Sequence, residues 1–132
     1  MDGTILLYNI RDFGKRGLIQ GALGALGVRL VYVDRKDYLK PLGALAGEKM
    51  FFAVDREYEG AELDDMMIVM AGLNGGQVDE VLKALRESGA GRLPYKAVLT
   101  ETNKFWTSLM LFEELKKEHE ALSAAYDSKS GK

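Results

Sequence analysis

Two apolar runs constrain this chain most: TILLYNI at residues 4–10, polar only at Asn9 near its close, and MMIVMAGL at 66–73. A strand that is apolar at every position, not at alternate ones, needs cover on both faces of its sheet, and the helices of βαβ crossovers supply it. The segments after each run fit that need. From Arg16 the pattern turns helical, with Leu18, Ala22 and Ala25 on one stripe, Ile19, Leu23 and Leu26 beside it, and Gly27 as a stop. VRLVYV at 28–33 is then a second strand. After the second run, Val78, Val81, Leu82 and Leu85 predict a helix over 77–88 that Gly89 ends, and residues 95–99 form a fourth strand. Two βαβ units predict an α/β fold, a three-layer sandwich with a mostly parallel four-stranded sheet. A ferredoxin-like α+β arrangement is the alternative, and it would leave one sheet face open.

The remaining segments are less regular. Tyr38, Leu42 and Leu45 keep helical spacing over 38–47, which places Pro41 in the first turn, where a missing N–H is tolerated. Gly17, Gly21 and Gly24 lie within the first helix and cost it about 1 kcal/mol each relative to Ala, so close packing of that face against a sheet or helix is expected, with a flexible element that orders on binding as the functional alternative. Residues 48–65 read as a flap with its own small strand or as a functional loop, with Phe51 and Phe52 packed and the acidic part solvated. The last helix starts near Asn103 or Thr107 and carries Phe112, Leu115, His119, Leu122 and Tyr126 along one face. Residues 1–126 are expected to form a single domain and 127–132 a flexible tail.

At 132 residues the chain can bury roughly two thirds of its unfolded surface without staples. It has no cysteine, which excludes disulfides, thiolate catalysis and thiolate metal sites. A net charge of -2 with dispersed Lys and Arg disfavours nucleic acid and anionic lipid as partners. Asp2 stands where a secretory signal carries positive charge, and no apolar run approaches the roughly 20 residues of a membrane span, so a cytoplasmic protein with no membrane association is expected. No cofactor or metal is implied: the carboxylates of 57–65 lack calcium-loop spacing, and His119 reads as a packed or surface-edge residue with no acid or nucleophile beside it.

One stretch resembles a ligand-facing corner, where a strand ends and a helix begins. The strand at 95–99 runs into Thr100, Glu101, Thr102 and Asn103, followed by Phe105 and by Trp106, the single tryptophan. If the sheet is parallel, the carboxyl ends of the first, third and fourth strands converge. They would bring together Asn9, Arg11 and Lys15, then Asn74, Gly75 and Gly76, then Thr100, Thr102, Asn103 and Lys104, with Trp106 alongside. Backbone amides, hydroxyls and cations in one place suit a small anion. The same corner residues are also what a strand-to-helix turn requires as caps, and Trp106 also reads as cover for the core.

The run Lys96-Ala97-Val98-Leu99-Thr100 with Thr102, Asn103, Trp106, Glu113-Glu114-Leu115 and Glu118-His119 resembles an uncharacterised bacterial family labelled only as a domain of unknown function (family 3783). LLYNI, LGVRLVYV and the 38–47 segment are similar to it as well, and Glu101 stands where that family often has Pro. The resemblance implies a small stand-alone bacterial protein and supplies no activity. The residues themselves point to a non-enzymatic binding or regulatory module at the 100–106 corner. The competing expectation is an enzyme acting on a small phosphorylated or carboxylated metabolite in the same cleft, with backbone amides and Lys15 stabilising charge. A third is a homodimer or other protein partner, met through the glycine-rich helix or the Phe51-Phe52 segment.

Overall fold

The computed structural model describes residues 1–51 and 54–130, with side chains through 124. Its elements run β1 (Thr4–Tyr8), α1 (Phe13–Gly24), β2 (Arg29–Tyr32), a 3-10 turn (Arg35–Asp37), α2 (Leu42–Leu45), β3 (Met67–Ala71), α3 (Gly75–Glu87), β4 (Tyr95–Val98), a second 3-10 turn (Asn103–Phe105) and α4 (Ser108–Ser130). Local signals explain most boundaries. Asp12 caps α1 by accepting from the Lys15 N–H at 2.8 Å, so α1 starts earlier than the apolar stripe alone indicates. Asn74 and Gln77 form a reciprocal capping box on α3, and Gly89 at φ 80 follows its end. Thr107 Oγ1 accepts from the Met110 N–H at 3.2 Å and opens α4.

The expected helix over 38–47 is a correction: only Leu42–Leu45 is α-helical, with Pro41 extended at its N-cap. Proline has no N–H to continue the turn begun at Arg35–Asp37, so the helix restarts after it. In 48–65, the described residues form neither helix nor strand. The Phe51 ring lies 5.5 Å from that of Phe105; Phe52, the side chain of Tyr126 and the last residues of the expected tail lie outside the described residues.

The chain is α/β, with one four-stranded sheet ordered β2-β1-β3-β4. Both βαβ units are present, since β1 pairs with β2 and β3 with β4 in parallel. The sheet is nevertheless mixed, because β1 and β3 pair antiparallel, with Thr4 beside Ala71 and Tyr8 beside Met67. The route of 33–66 forces this. From the end of β2 the chain descends to α2, where Ala46 O accepts from Arg29 at the start of β2. It then climbs back, and Asn9 at the end of β1 donates to Leu63 O. β3 therefore enters at the edge where β1 and β2 finish.

β1 and β3 divide their side chains between two apolar clusters. Ile5, Leu7, Ile68 and Met70 pack with α1 and α3 through Ile19, Leu23, Val81 and Leu85. Leu6, Tyr8, Met67 and Val69 pack with Tyr38, Leu42, Leu111 and Phe112. Burial of Ile5 through Tyr8 at every position removes the ferredoxin-like alternative, which needs alternate residues exposed. The close packing expected of Gly17, Gly21 and Gly24 is overturned: a Cβ at any of them would meet nothing within 4 Å. The glycines look outward because Ile19 and Leu23 take the buried side of α1. Among the described residues, no helix is long and apolar enough to cross a membrane.

The second cluster holds two phenols. Burial pushes Tyr8 far above its ordinary value of 10.0, against a hydrogen bond with Ser108 at 2.8 Å. Burial also raises Tyr38, helped by its hydrogen bond to Glu62. A folded-state pKa above the unfolded one contributes stability that is whole below the unfolded value and lost as pH rises past it. Urea midpoints are therefore expected to stay level to about pH 9 and fall steeply above about pH 10, with a shallower fall in Tyr8→Phe. Parallel curves for the two proteins would contradict this.

Candidate functional site

β4 ends as Leu99 N–H donates to Met70 O at 2.8 Å, and the chain turns through 100–106. Asn103 organises the turn. Its Oδ1 accepts from Thr100 N–H at 2.8 Å, its Nδ2 donates to Val98 O at 3.0 Å, and its own N–H donates to Thr100 Oγ1 at 3.0 Å. Lys104, itself buried, reaches exposed Glu101 at 2.6 Å. The Trp106 N–H donates to Asn103 O and its carbonyl accepts from Leu42 N–H, each at 2.9 Å, while the side chain packs on the second cluster. These polar groups are consumed by the turn itself. Thr102 makes no capping bond and is exposed.

The expected convergence of loops does not occur. Asn74, Gly75 and Gly76 do share an edge with Thr100–Asn103, because β3 and β4 are parallel. Asn9, Arg11 and Lys15 lie at the opposite edge, because β1 runs against β3. There Lys15 donates to Arg92 O, and His119 lies exposed with its ring 5.6 Å from that of Tyr95. The acidic residues near β3 are paired with cations: Asp65 with Arg92 at 2.8 Å and Asp64 with Lys116 at 2.7 Å. Among the described residues, no cluster of His, Asp and Glu is placed to hold a metal.

The carboxyl ends of β1 and β2 instead enclose a cleft of about 430 Å³. Asn9 adopts φ 57, a left-handed conformation that Asn tolerates better than most side chains, and turns the chain sharply out of β1. Arg16 reaches back from α1 to donate to Ile10 O, and its guanidinium carbon sits 4.4 Å from the centroid of the Tyr32 ring. Stacking of this kind fixes the guanidinium while leaving terminal N–H groups to bind elsewhere. Arg11 lies 3.6 Å from Glu62, and Arg35 projects from the turn after β2. The Tyr32 hydroxyl is buried with no hydrogen-bond partner among the described residues. Loss of hydration raises its pKa and the Arg16 charge opposes the rise, so the phenol is neutral and available as a donor.

Arg16, Tyr32, Arg35 and Glu62 were not among the residues singled out from sequence. A signal for three of them was present: in any βαβ unit the carboxyl ends of both strands share an edge, which pairs residues 9–16 with residue 32 and those following it. Glu62 had none, since it arrives from the aperiodic segment.

Residues 66–122 match the model of a family described as Domain of unknown function (DUF3783), and this segment is such a domain. The match takes in β3, α3, β4, the 100–106 turn and much of α4, while the cleft residues precede it. No curated protein and no solved structure matches the chain.

Proposed function

We propose that this chain, in which residues 66–122 are a domain of unknown function, is a non-enzymatic binding module for a small anionic metabolite held at the carboxyl ends of β1 and β2. The observation that carries this reading is Arg16, clamped between Ile10 O and the Tyr32 ring with Arg11 and Arg35 beside it in one cleft. A fixed guanidinium binds phosphate or carboxylate with little ordering cost, and Tyr32 adds an uncommitted donor. The place lies beyond the carboxyl ends of two parallel strands, the side on which open α/β sheets receive ligands. A binding role is favoured over catalysis because the Glu62 carboxylate is engaged by Tyr38 OH, Leu63 N–H and Arg11, leaving it poorly placed as a base. Two apolar clusters, one on each sheet face, support the three-layer arrangement.

A thermal-shift and calorimetric screen with phosphate, pyrophosphate and small carboxylates tests the reading. Saturation at about 100-fold over Kd is expected to add about 2.7 kcal/mol. Arg16→Gln and Arg35→Gln should each weaken binding roughly tenfold or more, the worth of a charge-assisted hydrogen bond. Lys83→Gln, on an exposed turn of α3, should leave it unchanged. Binding that survives both arginine substitutions would place the site elsewhere.

A further inference from the structure

At the other side of the sheet, β4 is an edge strand. Its ladder with β3 is parallel, and the Leu99 N–H points to Met70 O. Alternation then turns the peptide groups of Tyr95 and Ala97 toward β3 and those of Lys96 and Val98 outward. Val98 O is taken by Asn103 Nδ2, which leaves the Lys96 N–H, the Lys96 carbonyl and the Val98 N–H unpaired among the described residues. Side chains follow the same alternation. Lys96 and Val98 stand opposite Ile68 and Met70, on the α3 side, and both are exposed, Val98 at 38%. Between this edge and α3 runs a groove of about 390 Å³ with an apolar floor of Met70, Val78, Leu82, Leu85 and Leu93. Arg86 and Lys96 stand along it; Lys96 Nζ donates to Leu93 O at 2.5 Å, and neither cation has a carboxylate partner among the described residues.

We propose that this edge and groove receive an extended peptide segment of a partner protein. The segment pairs with β4 as an added strand and turns alternate side chains, one acidic and one apolar, toward α3. Free ladder groups supply the main-chain bonds of strand addition, and pockets for alternate residues supply its selectivity. The acidic residue lies opposite Lys96 and within reach of Arg86, and the apolar residue lies opposite Val98 over the groove. Charge decides between this occupant and a second copy of the chain. A symmetric antiparallel β4 pair would set Lys96 of each copy diagonally from the other, at about 7–8 Å, with both Arg86 side chains on the same face. Like charges across an edge are a known guard against self-pairing. Here the guard excludes a second copy and admits an acidic strand.

The test uses the full chain, labelled with nitrogen-15, and two capped peptides. One is Thr-Val-Thr-Glu-Thr-Val-Thr, with Val and Glu on one face, and the other has Lys in place of Glu. The Glu peptide should shift the amide signals of Lys96 and Val98 and slow their hydrogen exchange, and the Lys peptide should bind about tenfold more weakly or worse. Lys96→Glu, an exposed substitution, should invert that preference, and Arg86→Glu should weaken the Glu peptide alone. Equal affinity for the two peptides, or no inversion in Lys96→Glu, overturns the proposal. Protection of the same amides that rises with protein concentration before any peptide is added overturns it in favour of a second copy.

Discussion

Asn103→Ala is expected to destabilise the protein by about 2–4 kcal/mol, a large effect for a polar residue in a turn. The residue is 9% exposed and its side chain both accepts from Thr100 N–H and donates to Val98 O. Alanine leaves both backbone groups without partners in a part-buried site, and each unsatisfied group costs about 1–3 kcal/mol. Asn103→Asp keeps the acceptor but points a carboxylate at the Val98 carbonyl, so it should recover little. Thr100→Ala removes one bond from a more exposed side chain and should cost less than about 1 kcal/mol. Urea unfolding at unchanged slope measures all three. A loss below about 0.5 kcal/mol for Asn103→Ala would mean that the turn does not depend on this side chain.

Gly17→Ala and Gly21→Ala should act in the opposite direction, adding about 1 kcal/mol each and about 2 kcal/mol together. Both lie inside α1, neither has positive φ, and neither position has a neighbour that a methyl group would strike. Alanine removes backbone freedom from the unfolded chain at no steric cost. The doubly substituted protein should melt roughly 5–10 °C higher. A melting temperature unchanged or lowered would show that α1 is held by contacts to these faces. Arg16 lies on the same helix, so anion affinity measured alongside reports whether the glycines serve closure of α1 over the cleft. If they do, the stabilised protein binds more weakly, as when rigidity is traded against function.

The 100–106 corner illustrates how far residue types alone can be read. Thr, Asn and Thr before a helix serve equally as ligand donors and as caps, because both roles use the same short polar side chains. The distinction rests on where the donors and acceptors point, and here those of Asn103 point into the turn. The cleft shows the converse. Arg16 looked like one polar residue on an amphipathic helix until Tyr32, from the neighbouring strand, was brought beneath its guanidinium.

The strands, both crossovers, the cap at Thr107 and the burial of β1 and β3 on two faces follow from sequence, because periodicity and capping act within a few residues of chain. The direction of β3 against β1 was decided by tertiary structure alone. Side chains alternate identically in a strand run either way, so direction leaves no mark on an apolar run. It was set by the path of 33–66, where Pro41 halts one helix and an aperiodic segment leads back to Leu63 beside Asn9. That reversal divided the expected set of loops between two edges and left the cleft at the ends of β1 and β2 to the first βαβ unit.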